Sequence, residues 1–392
     1  ILFMVFQAVY TWAAPIMDAI EGGFTALGEW IGANMEPGIL SDLLVNGVIA
    51  GLGSVLVFLP QITILFAFIL LLEDSGYLPR AAFLLDNLMA KSGLSGRSFI
   101  PLLSSFACAV PAVMSARTIN DPRERLVTIA VAPLLTCSAR LPVYALIIAA
   151  VIPNRTVGGV FNLQGLTLFI LYLAGILSAA LAAYIMKRLA RMKGNVQQFP
   201  LLMELPTFRT PNFKHIMTSL WDRVKAFLKR AGTIIFALAV VLWGLVSWPQ
   251  PPAGATGAAI DYSLAGTLGH AIQPLFAPLG FTWEMCIAMI PGIAAREVVV
   301  AALGTVYAVS ASSEDAVQNA LIPIIHNNWG LPTAFAFLAW YVYAPMCAAT
   351  LTVIKRETKS TKNMLMITGY LFLMAYFAAF VVYQISSRIL SS

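Results

Sequence analysis

The stretch at 126–153 is a long apolar run with polar residues and a proline at its middle. A bilayer-spanning helix needs about 20 apolar residues at ~1.5 Å rise per residue, and this run is long enough. The thiol of Cys137 and the guanidinium of Arg140 are costly at membrane depth unless they face protein or a water-filled path. Pro142 lacks a backbone N–H, so we expect the helix to kink or unwind beside it. Broken spans with polar centres are typical of the substrate sites of secondary transporters.

The composition indicates a membrane protein with several spans. Hydrophobic residues make up 59% of the 392 residues and charged residues only 11%, whereas soluble proteins carry about 25% charged residues. The net charge of +6 does not indicate nucleic acid binding, because lysines and arginines gather at the ends of apolar runs, as in cytoplasmic loops. We therefore predict an all-α, multi-pass protein of the lipid bilayer that binds no nucleic acid.

Apolar runs and loop charges divide the chain into four segments. Residues 1–45 form an acidic outer loop preceded by an N-terminal span, which we expect to be truncated because the chain starts inside an apolar run. Residues 46–186 form a first half, and residues 232–392 form a second half. Between them, 187–231 is a basic linker with an amphipathic helix, which the positive-inside rule assigns to the cytoplasm.

Each half contains an apolar segment that is too interrupted to be a clean span. At 98–116 prolines and serines surround Cys108 and arginines flank both ends, which predicts a re-entrant hairpin that enters from the cytoplasm. The segment at 284–309 is broken around Arg296, and its flanks carry no Lys or Arg, which predicts a hairpin that enters from outside. Each half then contains a span, a hairpin, a broken span and a further span. The two halves have opposite orientation, so we predict an inverted-topology repeat with about seven spans.

Three cysteines lie beside these predicted breaks: Cys108 in the first hairpin, and Cys137 and Cys347 in the two broken spans. Thiolates bind transition metals, and the thioethers of Met114 and Met346 are candidates to complete a weak, transient site. The alternative is that membrane cysteines serve as small apolar residues in the bundle. Because all three lie close to a proline, the pattern favours a metal pathway.

Glu73 and Asp74 are adjacent carboxylates at the end of an apolar run. They are candidates to hold a divalent cation, or to bind the N-terminus of a hairpin helix. An ordinary solvated span end fits the same pattern, so these interpretations stay open at this point.

Prolines and charged residues at the breaks are candidates for structural or gating roles. Pro111 and Pro142 remove backbone donors where the helices are interrupted. Arg296 and Glu297 are adjacent opposite charges at membrane depth, which favours a structural clamp over ion ligation. Arg140 either donates to carbonyls that the break sets free or meets the substrate.

Enzymatic chemistry finds no support in the sequence. The motifs GxSxG, HExxH and GxxxxGK[ST] do not occur, so neither a nucleophile elbow nor a phosphate-binding loop is encoded. We predict a transport domain without catalytic residues.

The motifs as a set resemble those of FeoB-type ferrous iron transporters. The matching stretches lie at 58–61, 72–83, 98–104, 108–112, 137–144, 227–233, 296–299 and 344–351. They cover essentially the whole chain, and their combination is specific. The resemblance implies that Cys108, Cys137 and Cys347 correspond to the cysteines of the family, although Met346 stands where a small or polar residue is expected.

The resemblance also implies a function and a set of partners. It implies an importer of Fe²⁺ in the inner (plasma) membrane of a bacterium, with Fe²⁺ as the transported substrate. In this family a cytoplasmic G domain precedes the membrane part, and GTP, bound there with Mg²⁺, is coupled to uptake. Because these 392 residues contain no P-loop, GTPase activity would belong to a domain outside them. Small Feo accessory proteins and a homo-oligomer are further implied partners.

Three other functions remain open on the sequence. The same regions resemble nucleoside transporters with paired re-entrant hairpins, but the hairpin centres offer Cys, Ser, Met and Pro rather than groups for a base and a ribose. A transporter of Mn²⁺, Co²⁺ or Zn²⁺ would use the same ligand types. A membrane anchor without transport activity would leave the polar breaks unexplained.

Overall fold

The computed structural model describes residues 2–36, 38–91, 94–157, 161–192, 209–249, 262–293, 295–296, 298–307, 314–345 and 347–391. These residues are mostly helical, which confirms the predicted all-α class. The helices up to the middle of the chain are α1 (Leu2–Asn34), α2 (Ile39–Asp42), α3 (Ala50–Val57), α4 (Leu59–Asp74), α5 (Tyr77–Lys91), α6 (Phe99–Ala107), α7 (Ala109–Ser115), α8 (Pro122–Val131) and α9 (Leu141–Val151).

A short antiparallel strand pair, β1 (Thr156–Val157) and β2 (Phe161–Asn162), follows α9, with Thr156 opposite Asn162. The later helices are α10 (Leu163–Met192), α11 (Phe213–Phe227), α12 (Thr233–Ser247), α13 (Leu264–Phe276), α14 (Trp283–Gly292), α15 (Val298–Val306), α16 (Glu314–Asn328), α17 (Leu331–Tyr343), α18 (Ala348–Thr358) and α19 (Thr361–Ser391).

Contacts divide the chain into two compact units. The first comprises Ile1–Asp86 and Leu201–Trp248, and the second comprises Asn87–Pro200 and Pro249–Ser392. This division follows spatial contacts, whereas the four-segment division above follows hydropathy and loop charge. The four-segment division stays a prediction.

The first unit is built around a long helical stretch, Ile39–Asp74, which includes α2, a π-helical segment, α3 and α4. Its 36 residues are apolar enough to cross a membrane. Helix α12 packs against α3, and α11 packs against α4. Gly51 allows α3 and α12 to approach closely, because a Cβ atom at this position would lie only 3.2 Å from the Cβ of Ala239 on α12.

Helix α1 differs from the sequence prediction. A span ending near residue 20 and a long acidic loop were expected, but the helix continues through this stretch to Asn34. Residues 21–34 contain no proline, and their two glutamates and two alanines are good helix formers, so the helix continues through this stretch despite its four glycines. The connection to α2 is correspondingly short.

The second unit has a large aromatic core. Phe276, Trp340 and Phe372 meet edge to face, with ring centroids 5.2–6.3 Å apart. Phe281 and Phe337 extend the cluster at 5.5 Å. Edge-to-face pairs add stabilisation beyond the burial of their area, so these aromatic contacts stabilise the packing of the helices in this unit.

The described residues contain five helical stretches long and apolar enough to span a membrane: Ile39–Asp74, Pro122–Val151, Leu163–Leu189, Leu331–Thr358 and Thr361–Ile389. A sixth arises if α13 and α14, bent by 106° at a short break, count as one span. The expected number was about seven by the positive-inside argument. One reason for the difference is α12, which is apolar but only 15 residues long.

Candidate metal pathway in the second unit

The predicted hairpin around Cys108 is present as two short helices that pack against each other. Helix α6 ends at Ala107, and Cys108 is extended, with φ −156° and ψ 133°, before α7 begins. Pro111 lies in the first turn of α7, where the backbone N–H has no partner within the helix, so the proline is tolerated there. Cys108 therefore lies at the tip of the hairpin.

The base of this hairpin is held by a polar network that the sequence analysis did not predict. The Glu124 carboxylate accepts hydrogen bonds from the backbone N–H of Ser95 at 2.6 Å and from the Ser98 hydroxyl at 3.1 Å. The hydroxyls of Ser98 and Thr128 lie 2.9 Å apart. These contacts tie the start of α6 to α8.

The break in the first broken span also lies where it was predicted. The chain leaves α8, forms two 3₁₀ turns with an extended segment between them that includes Cys137, and resumes as α9 at Leu141. The helix is unwound directly before Pro142, as expected. Pro142 lies in the first turn of α9, so it begins the resumed helix instead of interrupting one.

The third cysteine lies at the corresponding place in the last broken span. Helix α17 ends at Tyr343, and Cys347 is extended, with φ −56° and ψ 152°, immediately before α18. Its Sγ lies 3.2 Å from the Oγ1 of Thr350. Thus Cys108, Cys137 and Cys347 each directly precede a helical segment.

Two buried arginines hold the carbonyls around these breaks. Arg140 is fully buried, and it donates from Nη1 to the Val342 carbonyl at 2.6 Å and from Nη2 to the Pro133 carbonyl at 3.2 Å. This is the anchoring alternative considered for Arg140. The last carbonyls of a helix have no partner within it, so a guanidinium with several donors suits this position.

Arg296, which lies between α14 and α15, donates to carbonyls at the break that follows α17. It is 4% exposed, and its Nη2 donates to the carbonyls of Ala344, at 2.8 Å, and of Pro345. Its guanidinium carbon also lies 5.4 Å from the ring centroid of Tyr341. Both arginines therefore satisfy carbonyls at the end of α17.

The structure brings the three cysteine-bearing segments into contact with one another. The Ser138 hydroxyl donates to the Ala107 carbonyl at 2.8 Å, which joins the residue after Cys137 to the residue before Cys108. Helix α7, which follows Cys108, packs against α18, which follows Cys347. Arg140, three residues after Cys137, donates to the Val342 carbonyl, five residues before Cys347.

The thiols are not a compact metal cluster. Across the described part of the chain, no three side chains of His, Cys, Asp or Glu lie together as a metal site. Met114 lies six residues beyond Cys108, or ~9 Å along the helix axis, so its role as a partner of Cys108 stays a prediction. Met346 and Glu297 lie outside the described residues.

Glu73 and Asp74 lie in the first unit, at the end of α4, and both contact α11. Glu73 forms an ion pair with Arg223 at 3.0 Å. Asp74 accepts a hydrogen bond at 2.6 Å from the backbone N–H of Asn212, the residue that caps α11, and lies 3.6 Å from His215. Asp74 therefore binds the start of α11, which is not a hairpin helix, whereas Glu73 pairs with a residue further along α11. The role of the two carboxylates as cation ligands stays a prediction.

The comparison with known families covers these same segments. The Gate family model, described as "Nucleoside recognition", matches residues 55–151 and 228–361, which together exceed half of the chain. The chain belongs to the Gate family. The matched residues include all three cysteines at the breaks and both buried arginines.

A second family model, "Ferrous iron transport protein B C terminus", matches residues 168–223. Curated relatives named "Fe(2+) transporter FeoB" include proteins from Leptospira interrogans (41% identical over 98% of this chain and 56% of the relative), Staphylococcus aureus (38%, 98% and 56%) and Campylobacter jejuni (36%, 100% and 63%). These matches confirm the resemblance of this Gate-family chain to FeoB-type transporters.

The chain spans a little over half of the length of the Leptospira and Staphylococcus relatives. No solved structure matches it.

Proposed function

We propose that this chain is the membrane part of an importer of ferrous iron, and that Fe²⁺ passes Cys108, Cys137 and Cys347 at the helix breaks. The observation that carries the proposal is that each of these cysteines directly precedes a helical segment in one packed unit, on extended backbone that interrupts a hairpin or a span. The names of the relatives, which are Fe²⁺ transporters, support the choice of substrate.

The ligand types support a transition metal. Thiolate sulfur suits Fe²⁺ better than Mg²⁺ or Ca²⁺, which prefer oxygen ligands. The absence of a closed cluster of three ligands among the described residues suits transport, since a permeating ion must be bound well enough to enter and weakly enough to leave. The same chemistry would accept Mn²⁺, Co²⁺ or Zn²⁺, so selectivity is part of the test.

The arginines have a structural role in this proposal. Arg140 and Arg296 satisfy the carbonyls at the end of α17, and so they hold the break open without contacting the metal. A guanidinium donates only and repels a cation, so neither arginine serves as a ligand.

The wider setting follows the resemblance. We propose that the protein lies in the bacterial inner membrane and that uptake is coupled to a GTP-binding domain outside these residues, with Mg²⁺ bound there. Small accessory proteins and further copies of the chain are proposed partners on the same ground.

A second candidate is a nucleoside carrier, which the description of the Gate model favours. The three cysteines at the breaks are ligands for a transition metal and poor partners for a base and a ribose. The two candidates differ in ligand, so one binding experiment separates them.

The test is anaerobic Fe²⁺ binding to the purified protein in detergent. The parent is compared with a variant that carries Ser at 108, 137 and 347, and with Cys286→Ser as a matched control. Cys286 is 1% exposed in the core and lies inside α14, with no break directly beside it. Saturable binding that is lost only in the triple variant supports the proposal. Equal Fe²⁺ binding by the parent and the triple variant contradicts the cysteine pathway. Binding of nucleosides without binding of Fe²⁺ supports the carrier.

A further inference from the structure

Arg117 and Glu357 form an ion pair that has no role in the function proposed above. Arg117 Nε donates to Glu357 Oε2 at 2.6 Å, and Nη2 donates to the other carboxylate oxygen. The Glu357 side chain is only 7% exposed, whereas that of Arg117 is 59% exposed. A two-pronged pair of this kind fixes the relative orientation of its partners as well as their distance.

The pair joins the ends of two helices that begin at candidate metal ligands. Arg117 lies nine residues after Cys108, at the end of the α7 segment, and Glu357 lies ten residues after Cys347, near the end of α18. At ~1.5 Å per residue the two paths are about 14 and 15 Å long, which is nearly equal.

The directions of α7 and α18 follow from their contacts. The two helices pack side by side, and the ion pair joins their C-terminal ends. If the helices were antiparallel while the ion pair joined their C-terminal ends, α18 would extend away from α7. The two helices would then not pack along their lengths. They therefore run in the same direction, and Cys108 and Cys347 lie at the same end of the pair.

The surroundings of Glu357 make Arg117 its natural partner. A carboxylate in the last turn of a helix is disfavoured by the helix dipole, so a buried one there needs a cation. Lys355 and Arg356 are exposed and precede it, whereas Glu357 is turned inward toward α7. The hydrogen bond to Glu357, together with its charge, raises the pKa of Arg117 above its usual value.

We propose that Arg117 and Glu357 are positioning residues of the metal pathway: their ion pair holds α7 and α18 in one register, so that Cys108 and Cys347 stay at the same level of the bundle. The role of the thiols in this statement rests on the proposed function. Because the pair connects the hairpin of the first half to the broken span of the second, these two elements move as one body during transport.

A double-mutant cycle tests the pair with Co²⁺ as the probe, read by the absorption of its bonds to thiolate. The variants are Arg117→Gln, Glu357→Gln and the two combined, with Arg123→Gln as a control because Arg123 is an exposed arginine at the start of α8. We expect each single variant to weaken Co²⁺ binding about tenfold, and the combined variant to weaken it no further, because residues that act through one contact are not additive. The control should bind like the parent.

Parent-like affinity in both single variants would overturn the proposal, and so would a combined loss of about a hundredfold, which would mean that the two residues act independently. If Arg117→Gln does not fold, Arg117→Lys takes its place. Lysine keeps the charge without the two-pronged geometry, so we expect about threefold weaker binding. Unchanged binding in that variant would likewise count against the pair.

Hydrogen exchange of the backbone amides tests the positioning role of the ion pair independently of metal binding. If the parent shows no thiolate–cobalt absorption, the proposed metal pathway fails, and exchange alone decides the positioning role. Faster exchange in both Ala109–Ser115 and Ala348–Thr358 in each single variant supports a shared register. Unchanged exchange in either helix overturns it.

Discussion

Arg140 donates from Nη1 to the carbonyl oxygen of Val342 at 2.6 Å, although the two residues lie 202 positions apart in the chain. Its Nη2 reaches the Pro133 carbonyl on its own broken span. One buried guanidinium thus satisfies backbone groups at both broken spans. Such carbonyls cost several kcal/mol each, roughly, if left without a donor in hydrocarbon.

We expect Arg140→Lys to destabilise the protein by about 2 kcal/mol, since a single ammonium cannot reproduce both bonds of a buried charged donor. The measurement is thermal unfolding in detergent. The control is Arg188→Lys, because Arg188 is exposed on α10 and should tolerate the change. Equal unfolding temperatures for the parent and Arg140→Lys would show that the anchoring bonds add little stability.

Cys137→Ser should lower Fe²⁺ uptake while leaving the fold intact. Serine is smaller than cysteine but fits extended backbone before a helix, and a hydroxyl is a poorer ligand for Fe²⁺ than a thiolate. Uptake of labelled iron by cells that make the full-length protein measures the effect. Cys286→Ser, in the core of the same unit, should transport normally if it folds. Parent-like uptake kinetics in Cys137→Ser would remove this thiol from the pathway.

Asp74→Ala should loosen α11 by about 1 kcal/mol without changing the affinity for metal. The substitution removes the acceptor of the Asn212 N–H and the partner of His215, as the loss of a helix cap does. Exchange of amide hydrogens in Phe213–Phe227 reports the first effect and Fe²⁺ titration reports the second. A loss of metal affinity would instead favour the interpretation of Glu73 and Asp74 as cation ligands.

The positive-inside argument predicts that the loop with Arg117 and Arg123 is cytoplasmic and that the end of α9 is outside. Asn120→Cys and Asn154→Cys place exposed thiols on the two sides in a matched pair. A membrane-impermeant maleimide added to intact cells should label residue 154 and not residue 120. Labelling at 120 would contradict the predicted entry of the first hairpin from the cytoplasm.

The sequence by itself determined the class of the protein and the places where its helices break. Local chemistry decides these features. A low fraction of charged residues requires lipid, and prolines near Cys108, Cys137 and Cys347 limit helix propagation at each site. The resemblance to FeoB-type transporters followed from the same short motifs, and the family-model matches and the curated relatives confirmed it.

Tertiary structure alone decided which groups satisfy the broken backbone and which helices run together. The bond from Arg140 to Val342 and the ion pair from Arg117 to Glu357 join positions 202 and 240 residues apart, and no local pattern records such partners. The sequence feature that hints at the ion pair is a single acid, Glu357, among basic residues at the end of an apolar run. The local sequence around Pro142 also does not show whether this proline interrupts a helix or begins one. The two cases differ only in where the preceding chain turns. That turn is set by the packing of the whole unit.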